Sequence, residues 1–264
     1  MHPVLFELGP LTVYSYGLFV VLAVVVAVAA IYLLARQARL PVKYLADYVL
    51  YGTLAALVGA RIWYLMLRPD EIGGPATWFA IGGGRLALAG GLLLGSLVLF
   101  LLIRRHRGPL WRWLDVVAVG AVLGLAIGRL GSYLNGDYLG TATGLPWGVT
   151  YEERPALAAA GERLHPLALY AAGLYAGIAF YAYRLWRLRP AHAPAGMLFW
   201  LVLLLVSTVQ LALEPWHHPA DALFLTEGAR ATVPVFLASS GVSLWVLMTR
   251  YGLRPPRRRE RVRR

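Results

Sequence analysis

The chain contains no cysteine, a single lysine and only 14% charged residues. Without cysteine it has no disulfide, no thiolate metal site and no cysteine nucleophile of its own, so any thiol chemistry must use a thiol brought by a partner. With so few charges and 59% apolar residues, its 264 residues carry more apolar surface than one water-soluble core can hide. A Ser-rich or Gly-rich linker is also missing, as is any repeat period of roughly 20 to 50 residues, so neither a second domain nor a repeat array is indicated. GxSxG, HExxH and P-loop patterns are absent, which speaks against the common hydrolases, zincins and nucleotide-driven pumps. The lack of inverted repeats speaks against a small transporter.

What the chain has is long apolar runs. Spans are expected near 15–35, 45–67, 86–103, 167–183, 195–213 and 231–249, with a weaker one at 114–128 that runs into Arg129. A helix needs about 20 such residues to cross the hydrocarbon. The expected fold is therefore an all-α integral membrane protein of seven transmembrane helices, with one membrane domain over 1–249 and a basic tail over 250–264. Ala27-Val28-Ala29 imitates a leader cleavage site, but no basic region precedes it and the apolar run of 21 residues is long for a leader, so a retained helix is expected. The opening segment His2 to Leu18 contains Pro3 and Pro10 and is too broken to span. It is expected along the outer interface, where Phe6, Tyr14 and Tyr16 suit the headgroup level.

The net charge of +12 divides unequally between the sides. With the N-terminus outside, the inner segments carry 18 basic residues against Asp47, Asp115 and Glu260, and the outer side holds 7 basic and 10 acidic residues. That asymmetry places the C-terminus in the cytoplasm. The tail then lies at an anionic leaflet, so membrane lipids rather than nucleic acid are its expected partner.

The outer connections hold most of the polar groups. The run GRLGSYLNGDYLG from Gly128 to Gly140 puts Arg129, Ser132, Asn135 and Asp137 where an apolar helix ends. Its glycines suggest that the backbone breaks there, which at membrane depth requires cover by protein or a watery cavity. Two readings follow: Arg129 offers its fork to a phosphate with the other three residues beside it, or Arg129 and Asp137 form an ion pair that pins a loop. Arg61 follows Gly59-Ala60 near the outer end of the second span. Position favours a side chain reaching the headgroups, the alternative being a second cation facing the same cavity. Gln210 and Glu214 are four apart at the end of the sixth span, so they share a helix face, and His217 and His218 follow Pro215-Trp216. Glu214 either orients a ligand or a histidine, or sits in water beyond the helix end. Adjacent histidines on a turn point apart, so no metal site is expected. His165-Pro166 opens the fifth span, with proline at home in a first helical position. The triglycine run Gly82 to Gly84 is either a turn that admits a headgroup to the backbone or merely a tight loop.

HPVLFELGP with Tyr16-Gly17-Leu18, GARIWY at Gly59 to Tyr64, GGLLLG at Gly90 to Gly95, GRLGSYLNGDYLG, and His165-Pro166 before Tyr170 follow one another in an order and spacing that resembles the prolipoprotein diacylglyceryl transferase family. The resemblance covers nearly the whole chain. It implies transfer of a diacylglyceryl group from phosphatidylglycerol to the lipobox cysteine in the signal-peptide region of a preprolipoprotein, in the bacterial cytoplasmic (inner) membrane, with no cofactor. The missing cysteine then has its explanation, since the thiol belongs to the substrate. The family likeness makes Arg129 the phosphate-holding arginine, with Asn135 and Gly140 in its signature loop, Tyr16 at the end of the opening segment and Glu214 closing the sixth-span motif. We expect Tyr16, Asn135, Asp137, His165 and Glu214 to act in catalysis, and Arg61, Arg129, Ser132, Gly140, Gln210, His217 and His218 to bind substrate. The chain departs from the family pattern at several points. Ala89 stands where the family has a histidine, Ser132 for an asparagine, Asp137 for a glutamate, Gln210 for an arginine and Val206 for a tyrosine. The departures leave an alternative, a homologue without catalysis that binds phospholipid or lipoprotein precursor.

Overall fold

A computed structural model of the chain describes residues 4–8, 11–71, 73–74, 87–136, 138–150, 161–189, 193–217 and 228–251. The triglycine run, Asp137, His218, the tail beyond residue 251 and the side chain of Ala89 lie outside what it describes. The described residues form β1 Val4–Leu8, β2 Leu11–Tyr14, α1 Ser15–Gln37, α2 Leu45–Leu67, α3 Leu88–Arg105, α4 Leu110–Asn135, α5 Leu167–Leu188, α6 Met197–Leu213 and α7 Gly228–Arg250, with short 3₁₀ turns at Val42–Tyr44, Pro69–Glu71 and Glu214–Trp216. Among the described residues five stretches are long and apolar enough to cross a membrane: Ser15–Gln37, Val42–Leu67, Leu110–Asn135, Met197–Trp216 and Val233–Arg250. Their outward faces are apolar, with Val21 60% and Trp245 66% exposed. Such faces suit hydrocarbon and not water, and the chain is a multi-pass membrane protein.

The structure adds to one expectation and changes another. The opening segment, expected to be too broken to span, is a hairpin: β1 and β2 pair antiparallel, with Phe6 opposite Val13 and Leu8 opposite Leu11. Pro10 has no amide hydrogen and breaks any helical reading of the segment, whereas the residues on either side can pair across a hairpin. The polypeptide also does not break at Arg129. The fourth helix runs on to Asn135, and the irregular backbone is deferred to Gly136 and Tyr138, both with positive φ, at 72° and 65°. Gly131 continues the helix for a packing reason: a Cβ there would meet Phe19 Cγ of α1 at 3.3 Å.

The backbone groups into two compact units, residues 1–31 with 114–264, and residues 32–113. In the first, glycines let α1 and α4 approach closely. A Cβ on Gly120 would meet the Ala27 carbonyl oxygen at 2.8 Å, and one on Gly124 would meet the Ala23 carbonyl oxygen at 3.1 Å. Helix α5 buries Ala168, Ala171, Tyr175, Ala179, Ala182 and Trp186, a stripe at helical spacing. Ser207 of α6 donates a hydrogen bond to Ser239 of α7 at 3.0 Å. The fully buried Asp115 of α4 caps α6, accepting from the Gly196 and Phe199 amides at 2.9 Å each and from Arg189, just past α5, at 3.2 Å. A buried carboxylate with three donors is satisfied where an unpaired one would be very costly.

In the second unit α2 and α3 cross at Gly59 and Gly90, each lying where the other's backbone leaves no room for a side chain. Gly91 and Gly95 continue the seam against Ala56 at 3.0 Å. The Ala87 amide donates to the Ala60 carbonyl at 3.0 Å, and Tyr64 donates to Glu71 at 2.8 Å. At the other end Tyr44 stacks on His106 at 3.9 Å, and the Tyr48 ring meets the edge of Trp113 at 5.2 Å.

Because the Gly59 and Gly90 backbones touch, Gly90→Leu forces these helices apart. We expect it to lower the thermal unfolding midpoint in detergent, at a cost of about 1–3 kcal/mol for an overpacked contact. Gly177→Ala, on α5 with nothing within 4 Å of a new Cβ, is expected to leave the midpoint unchanged or raise it.

Candidate functional site

The ends of α4, α5 and α6 are tied together by backbone. Past the left-handed Tyr138, the chain pairs Gly140 with His217, and the Thr141 amide donates to the Trp216 carbonyl at 2.7 Å. The His165 amide then donates to the Thr141 carbonyl at 3.0 Å, and Leu164 exchanges both backbone bonds with Val149. Gly140 is glycine because of this knitting: a Cβ would fall 2.6 Å from His165 Cβ and 2.7 Å from Leu167 Cδ1. Pro166 takes the N-cap rather than the first helical position, and its carbonyl accepts from Leu169 and Tyr170 at 3.0 and 3.2 Å.

Inside this frame Arg129 finds its seat. Its guanidinium carbon lies 3.7 Å from the centroid of the Tyr138 ring. Both tyrosines donate to Gln210 Oε1, Tyr138 at 2.9 Å and Tyr175 at 2.7 Å. Two donors occupy both lone pairs of that oxygen. The result is a connected network from α4 through α5 to α6, with the cation–π contact contributing about 0.5–2 kcal/mol. His217 stands edge-on to the same Tyr138 ring, 4.3 Å between centroids at 87°.

The other expected residues fall as follows. Ser132, three residues past Arg129 on α4, is 8% exposed. Asn135 lies about 120° round the helix from Arg129, half-buried and hydrogen-bonded. Tyr16 is in the first turn of α1, its carbonyl oxygen 3.7 Å from where a Gly131 Cβ would be. Glu214 begins the turn after α6 and accepts the His217 amide through its backbone carbonyl at 3.1 Å. Its expected helix-face partner Gln210 turns its carbonyl oxygen to the two tyrosines instead. His165 is in a separate cluster: its Nδ1 lies 3.3 Å from the Tyr170 hydroxyl, which accepts from Trp147 Nε1 at 2.7 Å. Arg61 belongs to the second unit and is 5% exposed, its guanidinium 5.5 Å from the Tyr64 centroid. A side chain reaching for headgroups would be exposed, so that reading does not describe it. Asp137 and His218 lie outside the described residues, and so does the ion-pair reading of Arg129 with Asp137.

Sequence reasoning missed Tyr138 and Tyr175, which build the seat. Tyr138 sits inside the signature run itself, and Tyr175 is the one phenol in the buried stripe of α5; either was a signal. Asp115 was counted as a charge and not recognised as the cap of α6.

His217 is held well below its ordinary value near 6.5, at about 4, first by burial, which penalises the charged ring, and then by the Arg129 cation. The unfolded chain takes up this proton near pH 6.5 and the folded one resists until about pH 4. Its stabilising contribution is therefore complete above pH 6.5 and is lost as pH falls toward 4. We expect the thermal unfolding midpoint to drop across that interval and His217→Gln to flatten the drop; parallel curves for the two proteins would show that another group is responsible.

A sequence model of the family described as prolipoprotein diacylglyceryl transferase matches residues 3–247. The chain is 34% identical over 171 residues to the phosphatidylglycerol–prolipoprotein diacylglyceryl transferase of Trichormus variabilis, a match covering 64% of this chain and 61% of that protein. It is likewise 34% identical to the protein of that name from Synechococcus elongatus, over 64% of this chain and 59% of the relative. These matches thus span about three fifths of the relatives' length. Against the protein of the same name from Chromohalobacter salexigens the identity is 32% over 256 residues, covering 93% of this chain and 92% of the relative. The opening hairpin, the glycine seam of α2 and α3 and the Arg129 seat all lie within the matched range, and the chain belongs to the prolipoprotein diacylglyceryl transferase family.

Proposed function

We propose that this chain transfers the diacylglyceryl group of phosphatidylglycerol to the cysteine thiol of a preprolipoprotein, the first step of lipoprotein modification. The observation that carries this reading is the seat of Arg129, a cation laid on the Tyr138 ring, whose hydroxyl shares Gln210 with Tyr175, near the end of a membrane helix in a chain of this family. In the reaction a thiol attacks a glyceryl carbon while phosphate leaves. The site therefore needs a cation to hold the growing phosphate charge and a group to take the thiol proton. A guanidinium fork fits the first need: its face is held by the Tyr138 ring, and its planar donor set matches phosphate oxygens.

In this reading Arg129 binds the phosphate, with Ser132, Gly140, Gln210, His217 and His218 shaping the place for it. Tyr16, Asn135, Asp137, His165 and Glu214 border the reacting groups. The partners are phosphatidylglycerol, the signal-peptide region of the precursor and the surrounding lipids. All seven helices span the bacterial cytoplasmic membrane, with the N-terminus outside and the basic C-terminus inside. The charge asymmetry supports that orientation, and it puts the Arg129 end of α4 at the outer leaflet, where an exported precursor presents its cysteine.

The test is purified protein in phosphatidylglycerol micelles with a lipobox peptide, read by mass for the thioether product. Arg129→Ala is expected to lower kcat by about 10²- to 10³-fold, the range for losing one donor to developing charge. Arg129→Lys keeps the charge but not the fork and is expected to fall between the two. If wild type makes no product while Arg129→Ala still weakens phosphatidylglycerol binding, the chain is a lipid-binding homologue without catalysis.

A further inference from the structure

A thiol titrates near 8.5 in water, and only its thiolate attacks carbon well, so the site must hold a proton acceptor near the phosphate. At the position where the family resemblance places a histidine, this chain has Ala89, which accepts no proton. Of the two described imidazoles of the first unit, His165 is engaged with Tyr170, itself held by Trp147, and His217 shares the Tyr138 ring with Arg129. The guanidinium carbon is 3.7 Å and the imidazole centroid 4.3 Å from the same Tyr138 centroid, so the two groups are no more than about 8 Å apart. A phosphate held by Arg129 therefore sets the adjoining glyceryl carbon, and a thiol lined up on it, beside the imidazole.

Resting on the transfer reading above, we propose that His217 is the proton acceptor for the incoming thiol, switched on by the anionic headgroup at Arg129. The groups that face His217 are Arg129 from α4 and Tyr138 from the following loop; Tyr175 and Gln210 join through the Tyr138 network, and Glu214 meets His217 through its backbone carbonyl. Without the lipid the ring is neutral and a weak base, burial being the first cause and the Arg129 cation the second. A phosphate anion beside Arg129 offsets that cause, so the ring gains basicity when substrate is present and not before. The step then balances. The thiol proton passes to His217, the sulfur–carbon bond forms, and the carbon–oxygen bond to phosphate breaks with its electron pair leaving on the oxygen. The imidazolium returns its proton to the departing glycerol phosphate. The arrangement keeps an unoccupied site from deprotonating thiols without a lipid to receive them.

The experiment uses the full chain, labelled in its six histidines, in nanodiscs of phosphatidylcholine or of phosphatidylglycerol. His217 is assigned by the signal lost in His217→Gln, or, should that variant not fold, by replacing the other histidines singly. We expect its titration near pH 4 in phosphatidylcholine to move up by at least about one unit in phosphatidylglycerol. The shift is expected to vanish in Arg129→Ala. His217→Gln is expected to lose about 10²- to 10⁴-fold in kcat with little change in KM for the peptide. A titration indifferent to phosphatidylglycerol overturns the proposal, as does a His217→Gln protein with wild-type turnover and pH profile. If wild type itself makes no product, the transfer reading fails on its own, and the titration still decides whether headgroup and imidazole are coupled.

Discussion

A guanidinium among apolar helices has to be met by polar groups from its own protein, and the network that runs from Arg129 through Tyr138 to Gln210 and Tyr175 is the constraint around which one end of the first unit is arranged. Each partner comes from a different segment, so the network is satisfied only when α4, α5, α6 and the loop after α4 are all in place. The loop in turn is held by backbone bonds to residues 165 and 216 and by the absence of a side chain on Gly140. Cation, loop and helix ends therefore specify one another, which is how a half-satisfied and costly polar cluster is avoided.

The opposite end of the same helix repeats the principle with the charge reversed. Asp115 lies about 21 Å along α4 from Arg129 at the usual helical rise. It gathers the amides at the start of α6 and the Arg189 guanidinium after α5. Between these two polar ends the contacts are of small residues, with Gly120 and Gly124 laid against α1. Without a hydrophobic driving force between helices in lipid, close approach of backbones does the packing.

Much of this was legible in the sequence. The apolar runs gave helix positions to within a few residues, because a membrane helix must satisfy its own backbone over its whole length. Arg129 of the signature run and Gln210, named separately in the sequence, are linked in the structure through Tyr138. The fourth helix was read too short because glycines were taken as breaks, although Gly131 is an inward packing position and the true turn waits for Gly136. The hairpin at the start was hidden by its prolines, which exclude a helix without announcing a strand. Tyr138 and Tyr175 were passed over because a phenol in an aromatic-rich membrane chain looks like an interface anchor until its hydrogen bond is seen. The separation of His165 from Arg129 depends on how the loop folds back, which spacing along the chain does not encode.

Tyr138 holds its ring against Arg129 from a left-handed backbone, a conformation that costs a residue with a Cβ about 1–2 kcal/mol. The requirement on shape and the requirement on chemistry thus fall on one position and pull toward different amino acids. Glycine would relieve the main chain and remove the aromatic surface; asparagine would tolerate the turn and lose the phenol; phenylalanine would keep the surface and abandon Gln210. No single replacement serves both demands, so drift at this site is blocked from every side unless the turn and the arginine change together.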